Sequence, residues 1–404
     1  MDMNKMKKVP EIRFKEFAED WENTDASIIF KTYFDKNHPD LPVLSASQEY
    51  GMIIREDVGF KVQHNKENEA GYKRVLPGQF VIHLRSFQGG FAHSDVEGIT
   101  SPAYTIIEFR DKSQQDDIFW KYVLTSKEFI KRLETVTYGI RDGRSISFED
   151  FSELGFNVPD IKEQHKIGKT LTVIDTLIRK LEQKLEKLRN IKQSLLNQMF
   201  VSVNRGGGYA PLIRFKGYDD EWKTNELSEV AKRYFVSNQS VHHQNLLSLS
   251  YGKIKRKNIK SKKGLLPNSF DTYQIVKNGI IVMRFTDLQN DHKSLRIGLA
   301  KEEGIVSPAY TCISVGEENS SAFLYEQLNY YDSVLKQFYK MGDGLRQTLS
   351  YKDIERLNVY IPHIEEQENI VFFNTVIETI IGKVSTKLTK LNSVKQSLLQ
   401  KMFV

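Results

Sequence analysis

The sequence predicts two globular domains of α/β (α+β) type and two long helices that pair as an antiparallel coiled coil, together forming a pseudo-two-fold tandem repeat. Three observations predict this. Motifs recur in the same order about 200 residues apart. Short apolar runs punctuated by Gly and Pro fill the first three quarters of each copy. An apolar stripe at heptad spacing fills the last quarter.

The repeat is visible first at the ends. "KQSLLNQMFV" at 192–201 returns as "KQSLLQKMFV" at 395–404, identical at eight of ten positions. The same shift of 203 carries Pro159, Glu163, Gln164 and Ile167 onto Pro362, Glu366, Gln367 and Ile370. "IRFK" at 12–15 returns at 213–216, Trp21 returns as Trp222, and "GITSPAYT" at 98–105 returns as "GIVSPAYT" at 304–311. A period this long is a duplicated domain rather than a solenoid repeat.

Residues 1–160 form the first globular domain. "QFVIHL" (79–84) and "YTIIEF" (104–109) read as strands, and 116–134 has helical periodicity. A coiled-coil helix over 161–201 follows, with Ile167, Leu171, Ile174, Ile178, Leu181, Leu185 and Leu188 at alternating steps of four and three and Lys192 in the one gap. "SVNRGGGYAP" (202–211) is a short linker whose three glycines give it slack. The second globular domain spans 212–362, with strands in "GIIVMRF" (279–285) and "YTCISV" (310–315) and helix over 322–340. The second coiled-coil helix, 363–404, places Ile377, Ile381, Val384, Leu388 and Leu391 on the same grid, with Asn374 and Lys395 interrupting it. Neither stripe can be buried by its own helix, and the other copy is the economical partner.

Composition narrows the function. The chain has 404 residues, a net charge of +6 and a single cysteine, Cys312, so no intramolecular disulfide forms and a reducing, cytoplasmic setting is expected. No run of 18 apolar residues predicts a membrane span. Phosphate-binding Gly-x4-Gly-Lys-Ser/Thr and Gly-x-Gly-x-x-Gly motifs are both missing, as are His-x3-His and His-Glu-x2-His pairs. No catalytic residue, cofactor or metal is therefore expected. The adjacent His242 and His243 point to opposite faces of a strand, and the Glu-x-Lys triplets at 182–184 and 221–223 are attributed to chance.

The globular parts instead offer cationic and amide side chains in loops. "YGKIKRKNIKSKK" (251–263) carries seven basic residues and no acid. "HLRSFQGGFAHSD" (83–95) corresponds to "MRFTDLQNDHKSLR" (283–296), each after a strand-like run. Such side chains hydrogen-bond phosphates and base edges. Equivalent loops differ between the copies while "SPAYT" and the helices hardly do, which suggests one scaffold carrying two reading surfaces.

These motifs, with "DGRSISFEDF" and "DGLRQTLSYKDI" before each proline and helix start, resemble the specificity (S) subunit of Type I restriction–modification systems. The resemblance covers nearly the whole chain. It implies two target-recognition domains that read the halves of a bipartite site in double-stranded DNA. It further implies helices that set the spacing and dock two modification (methyltransferase) subunits, with restriction (endonuclease/translocase) subunits joining them. The S subunit itself is non-catalytic. The expected DNA-binding residues are Ser47, Gln48, Tyr50, Arg85, Ser86, Gln88, Arg141 and Arg144 in the first domain. In the second they are Tyr251, Lys253, Lys255, Arg256, Lys257, Arg284, Thr286, Gln289 and Arg346. A free-standing DNA-binding regulator would fit the same residues, and co-purification with methyltransferase chains separates the two.

Overall fold

The computed structural model describes residues 9–47, 50–58, 66–83, 86–133, 146–200, 209–241, 243–250, 252–257, 267, 269–285, 297–330, 340–341 and 347–403. The chain divides into two compact units, residues 1–183 with 385–404, and residues 184–384. Each unit is thus one globular domain, the start of its own long helix and the end of the other copy's helix.

Both units repeat one α+β plan. In the first, a four-stranded sheet runs in the order Phe30–Tyr33, Thr105–Phe109, Phe80–Ile82, Ala92–His93. In the second the order is Ala231–Tyr234, Tyr310–Val315, Ile281–Arg284, Ile297–Leu299. Among the described residues every ladder between two strands is antiparallel, with parallel pairing confined to isolated bridges, which makes the domains α+β. Beside each sheet stand a two-stranded ribbon and a hairpin, Leu44–Ser47 with Gly51–Ile54 and Leu247–Ser250 with Lys253–Arg256.

The helix expected over 116–134 is two helices, Asp117–Val123 and Lys127–Leu133. The break has a local cause. Phe91 donates its N–H to the Leu124 carbonyl (3.0 Å), and Ser126 Oγ accepts from Phe129 N–H (3.1 Å), capping a new start. The helix expected over 322–340 is helical over Ser321–Tyr330, and Lys340 belongs to a strand instead, opposite Thr348.

The recurring motifs turn out to be structural. Pro159 and Pro362 precede long helices at Ile161–Met199 and Ile364–Lys401. Glu163, in the first turn, accepts Arg13 Nε and Nη2 at 2.8 Å each and Trp21 Nε1 at 3.2 Å. Glu366 repeats this with Arg214 at 2.9 and 2.7 Å and Trp222 at 3.2 Å. Gln164 ties the helix to the Pro159 and Gln114 carbonyls, and Gln367 reaches the Pro362 carbonyl and Asn319. "SPAY" is a turn in which Tyr104 and Tyr310 return their N–H to the Ser101 and Ser307 carbonyls. In "S-[FY]-x-D", Ser147 and Ser350 cap the helices Phe148–Ser152 and Tyr351–Ile354.

The repeated ending has its own explanation. Met402 and Phe403, the end of the second copy, pack into the first unit's core among Trp21, Phe119, Ile167 and Leu171. Met199 and Phe200, the end of the first copy, pack into the second unit's core with Trp222, Phe323 and Ile370. Ile12 N–H donates to the Lys401 carbonyl and Ile213 N–H to that of Gln198, both at 3.0 Å. Each copy's opening cassette is therefore completed by the other copy's final turn.

Within each unit the helices run antiparallel. Ile167, Leu171, Ile178, Leu185, Ile377 and Val384 are buried, and Ile174, Leu181, Leu188, Ile381, Leu388 and Leu391 are half-buried. The lysines inside the stripe are paired, Lys395 with Asp175 (2.6 Å) in the first unit and Lys192 with Glu378 in the second. Cys312 is buried, and burial pushes its thiol up to about 12.

Candidate nucleic-acid interfaces

The strongest candidate surface is the hairpin of each unit, because period-2 alternation separates its two faces. In the second unit Leu247, Leu249 and Ile254 turn inward, and Leu247 and Ile254 join a cluster with Val276, Val282 and Cys312. Ser248 and Ser250 point the other way, opposite Lys255 and Lys253 in the register. Both lysines are exposed, as is Lys257. The result is a Ser/Lys face of donors at strand spacing. In the first unit Leu44 and Met52 turn inward, leaving Ser45, Ser47 and Ile53 on the outer face. Arg55 Nε donates to Ser45 Oγ at 3.1 Å.

Tight turns shape both tips. Gly51 and Gly252 have φ of 73° and 67°, a region that favours glycine. A Cβ at Gly51 would lie 2.3 Å from the His93 carbonyl oxygen, so the first hairpin is seated directly on the sheet. The Gly252 carbonyl accepts Tyr325 Oη at 3.1 Å, which anchors the second hairpin to the helix Ser321–Tyr330. Burial raises the Tyr325 phenol, keeping it a donor.

The basic run does have an acid in space. Arg256 Nε lies 2.7 and 3.0 Å from the Glu302 carboxylate oxygens, and its Nη2 also contacts Glu302. The hydrogen bonds raise the Arg256 guanidinium and lower the Glu302 carboxyl. Glu302 comes from 46 residues further along, too far for the local run to announce it. Lys253, Lys255 and Lys257 have no carboxylate within ion-pair distance among the described residues.

The other expected residues are placed unequally. Tyr50 is 64% exposed at the first hairpin's tip, its N–H on Ser47 Oγ at 3.2 Å. Gln88 is exposed on the short helix Ser86–Gly89. Ser86 is fully buried and its Oγ accepts His83 N–H at 2.8 Å, so it holds the loop and offers DNA nothing. Arg284 is half-buried at the end of its strand, opposite Tyr310. Gln48, Arg85, Arg141, Arg144, Tyr251, Thr286, Gln289 and Arg346, with His242, lie outside the described residues. Sequence reasoning missed Ser45, Ser248, Ser250 and Tyr325. The alternation in "LSLS" was the available signal for two of them.

Among the described residues no group of His, Cys, Asp and Glu could hold a metal ion, and no helix is long and apolar enough to cross a membrane. What the surfaces offer is hydrogen bonding and positive charge.

Residues 7–190 match the family described as the Type I restriction modification DNA specificity domain. Among solved structures, the chain is similar to a Type I restriction–modification system S subunit from M. genitalium. The identity is 15%, 98% of this chain and 99% of that one are covered, and the TM-score is 0.56. A weaker likeness, with a TM-score of 0.46 and 13% identity over 95% and 96% of the two chains, is to an HsdS subunit from Thermoanaerobacter tengcongensis. A comparison with curated proteins finds no match.

Proposed function

We propose that this chain, a member of the Type I restriction–modification DNA specificity family, reads a bipartite double-stranded DNA target, one half through each unit. It is the recognition component of such a system and not its catalyst. The long helices hold the two reading surfaces at a set spacing and dock two modification (methyltransferase) subunits, with restriction (endonuclease/translocase) subunits joining that core. One observation carries the reading. The two hairpins share an antiparallel register, apolar inward positions (Leu44, Ala46 and Met52 in one, Leu247, Leu249 and Ile254 in the other) and serine spacing, while their outward groups differ, with Tyr50, Ile53 and Arg55 in one and Lys253, Lys255 and Lys257 in the other. A shared frame with unlike outward groups is what two different half-sites require.

The test is exchange. Residues 212–362 are replaced by the equivalent domain of a relative, and the methylated motif is sequenced in cells carrying the partner subunits. One half-site should change and the other should stay. A change in both halves, or in neither, would refute independent reading.

A further inference from the structure

Duplication supplies a comparison inside one chain. Surface that reads unlike half-sites diverges between the units, so exposed surface kept in both must meet something that is the same at both. Phe34 and Phe235 satisfy this. They sit at equivalent positions just past the edge strands Phe30–Tyr33 and Ala231–Tyr234, and they are 69% and 67% exposed. Isolated exposed apolar residues are ordinary. A large aromatic this exposed in both copies is not explained by folding, because neither ring is needed to fill a core.

Each Phe stands beside a second retained element, the "SPAY" turn, whose Pro102, Ala103, Pro308 and Ala309 are exposed. In the first unit Lys73 joins the two. Its Nζ donates to the Tyr104 carbonyl at 2.6 Å and lies 5.8 Å from the Phe34 ring centroid. In the second unit Gln274 takes the same place. It pairs with Ser237, two residues beyond Phe235, and its Nε2 donates to the Tyr310 carbonyl at 2.7 Å.

The substitutions show what kind of partner is met. Lys36 and Lys73, whose ammonium groups lie over the Phe34 ring, are Ser237 and Gln274 in the second unit, and Asp35 is Val236. Cation and acid are lost while Phe, Pro and Ala stay. DNA phosphate is equally anionic at both half-sites, and a phosphate contact would keep its cations. Lys31, a lysine kept nearby (Lys232 in the second unit), is paired with Glu108 at 3.2 Å in the first. An apolar patch with exchangeable charge suits a protein surface, with an aromatic anchor at its centre.

We propose that Phe34 with Pro102 and Ala103, and Phe235 with Pro308 and Ala309, are two equivalent docking patches, one per unit, for a protein partner present in two copies. This rests on the reading above, which makes that partner the modification subunit. The patches lie on the globular domains, apart from the helices.

The experiment uses the full chain and purified modification subunit. Both rings are largely exposed, so Phe34→Ser with Phe235→Ser should leave thermal unfolding unchanged. Association with the modification subunit should weaken by about tenfold or more, as expected for a lost aromatic anchor. DNA affinity of the chain alone should stay within about twofold, since a neutral patch adds no phosphate contact. Ala103→Glu with Ala309→Glu, which adds charge to the same patches, should act alike. Phe34→Ser alone should leave a single modification subunit tightly held. Unchanged association in both double variants overturns the proposal. So does lost DNA affinity with association intact, which would assign the patches to DNA. If the unaltered chain fails to bind the modification subunit at all, the functional reading falls and the docking patches fall with it.

Discussion

Truncating Glu163 tests whether the clamp that joins the opening cassette to the first helix works as one unit. Glu163→Ala removes the acceptor of Arg13 Nε and Nη2 and of Trp21 Nε1, from a site where Glu163 is 1% exposed and Arg13 12%. Removing one partner of a buried ion pair costs about 3–5 kcal/mol, because the other charge is stranded. Arg13 keeps a narrow path to water, which puts the expected cost at the lower end, about 3 kcal/mol. In a unit of about 200 residues each kcal/mol moves the midpoint by about 2–4 °C, so a fall of about 6–12 °C is expected. Trp21 lies in the clamp itself, so urea unfolding followed by tryptophan fluorescence reads the same event. The chain carries its own replicate, since Glu366→Ala breaks the same geometry with Arg214 and Trp222 and should cost the same within about 1 kcal/mol. Adding Arg13→Ala to Glu163→Ala should relieve part of the loss, because no guanidinium is then left unpaired. A double variant whose loss is the plain sum of the singles, or a single variant that shifts by less than about 2 °C, would refute the clamp as a coupled unit.

Four further outcomes are expected. Replacing Lys253, Lys255 and Lys257 by Ala should weaken binding across DNA sequences and flatten its salt dependence by about one unit of slope per lost phosphate contact; an unchanged slope would make the run a solvated face. Glu302→Gln should tighten DNA binding, since it releases Arg256 from its carboxylate, and weaker binding in a fluorescence-anisotropy titration would show that the pair has to stay intact. Gly304→Ala should cost at least about 2 kcal/mol in urea unfolding, because a Cβ there would lie 2.5 Å from the Asn245 carbonyl oxygen and 2.8 Å from Leu247, so a near-neutral result would mean that the ribbon and hairpin can separate at little cost. One added heptad after both Leu181 and Val384 keeps the apolar stripe and adds about 10 Å of helix at 1.5 Å per residue. The methylated motif should keep its half-sites and gain about three base pairs of spacer at 3.4 Å each, and altered half-site bases with the old spacer would reject the helices as the ruler.

Much of the scaffold was legible because duplication writes each structural rule twice. A residue that recurs at 203 positions' distance, such as Glu163 and Glu366, is tied to partners that recur with it, Arg13 with Arg214 and Trp21 with Trp222. The reading surface was only partly legible, because its groups are set by neighbours from elsewhere in the chain. Nothing local to "KIKR" announces Glu302, and nothing in "RSFQGG" says that Ser86 turns inward to its own loop while Gln88 turns out. The helix break at Leu124 likewise depends on Phe91, a partner from another element.

The irregular positions of the heptad grid follow the same logic once contacts are matched between units. Lys395 and Lys192 are equivalents, and so are their partners Asp175 and Glu378, so a lysine in the stripe is half of an ion pair in both units. Asn374 differs, because its equivalent is Leu171, and in the second unit Tyr122 is likewise replaced, by Glu326. In the first unit Tyr122 Oη donates to Asp175 at 2.7 Å, whereas in the second unit an ionisable carboxyl, Glu326, takes the tyrosine's place. Burial raises the Glu326 carboxyl first of all, and Lys192 and Asn374 oppose that shift by favouring the charged form. A lone asparagine at a stripe position would leave a buried polar group poorly matched, at a cost comparable to a lost hydrogen bond. Glu326 offsets part of that cost, because the Asn374 side chain favours its charged form, while Asn374 Oδ1 keeps no hydrogen-bond partner among the described residues. Two differences between the units, Asn374 for Leu171 and Glu326 for Tyr122, therefore accompany the interruption that the heptad spacing alone registers as a fault.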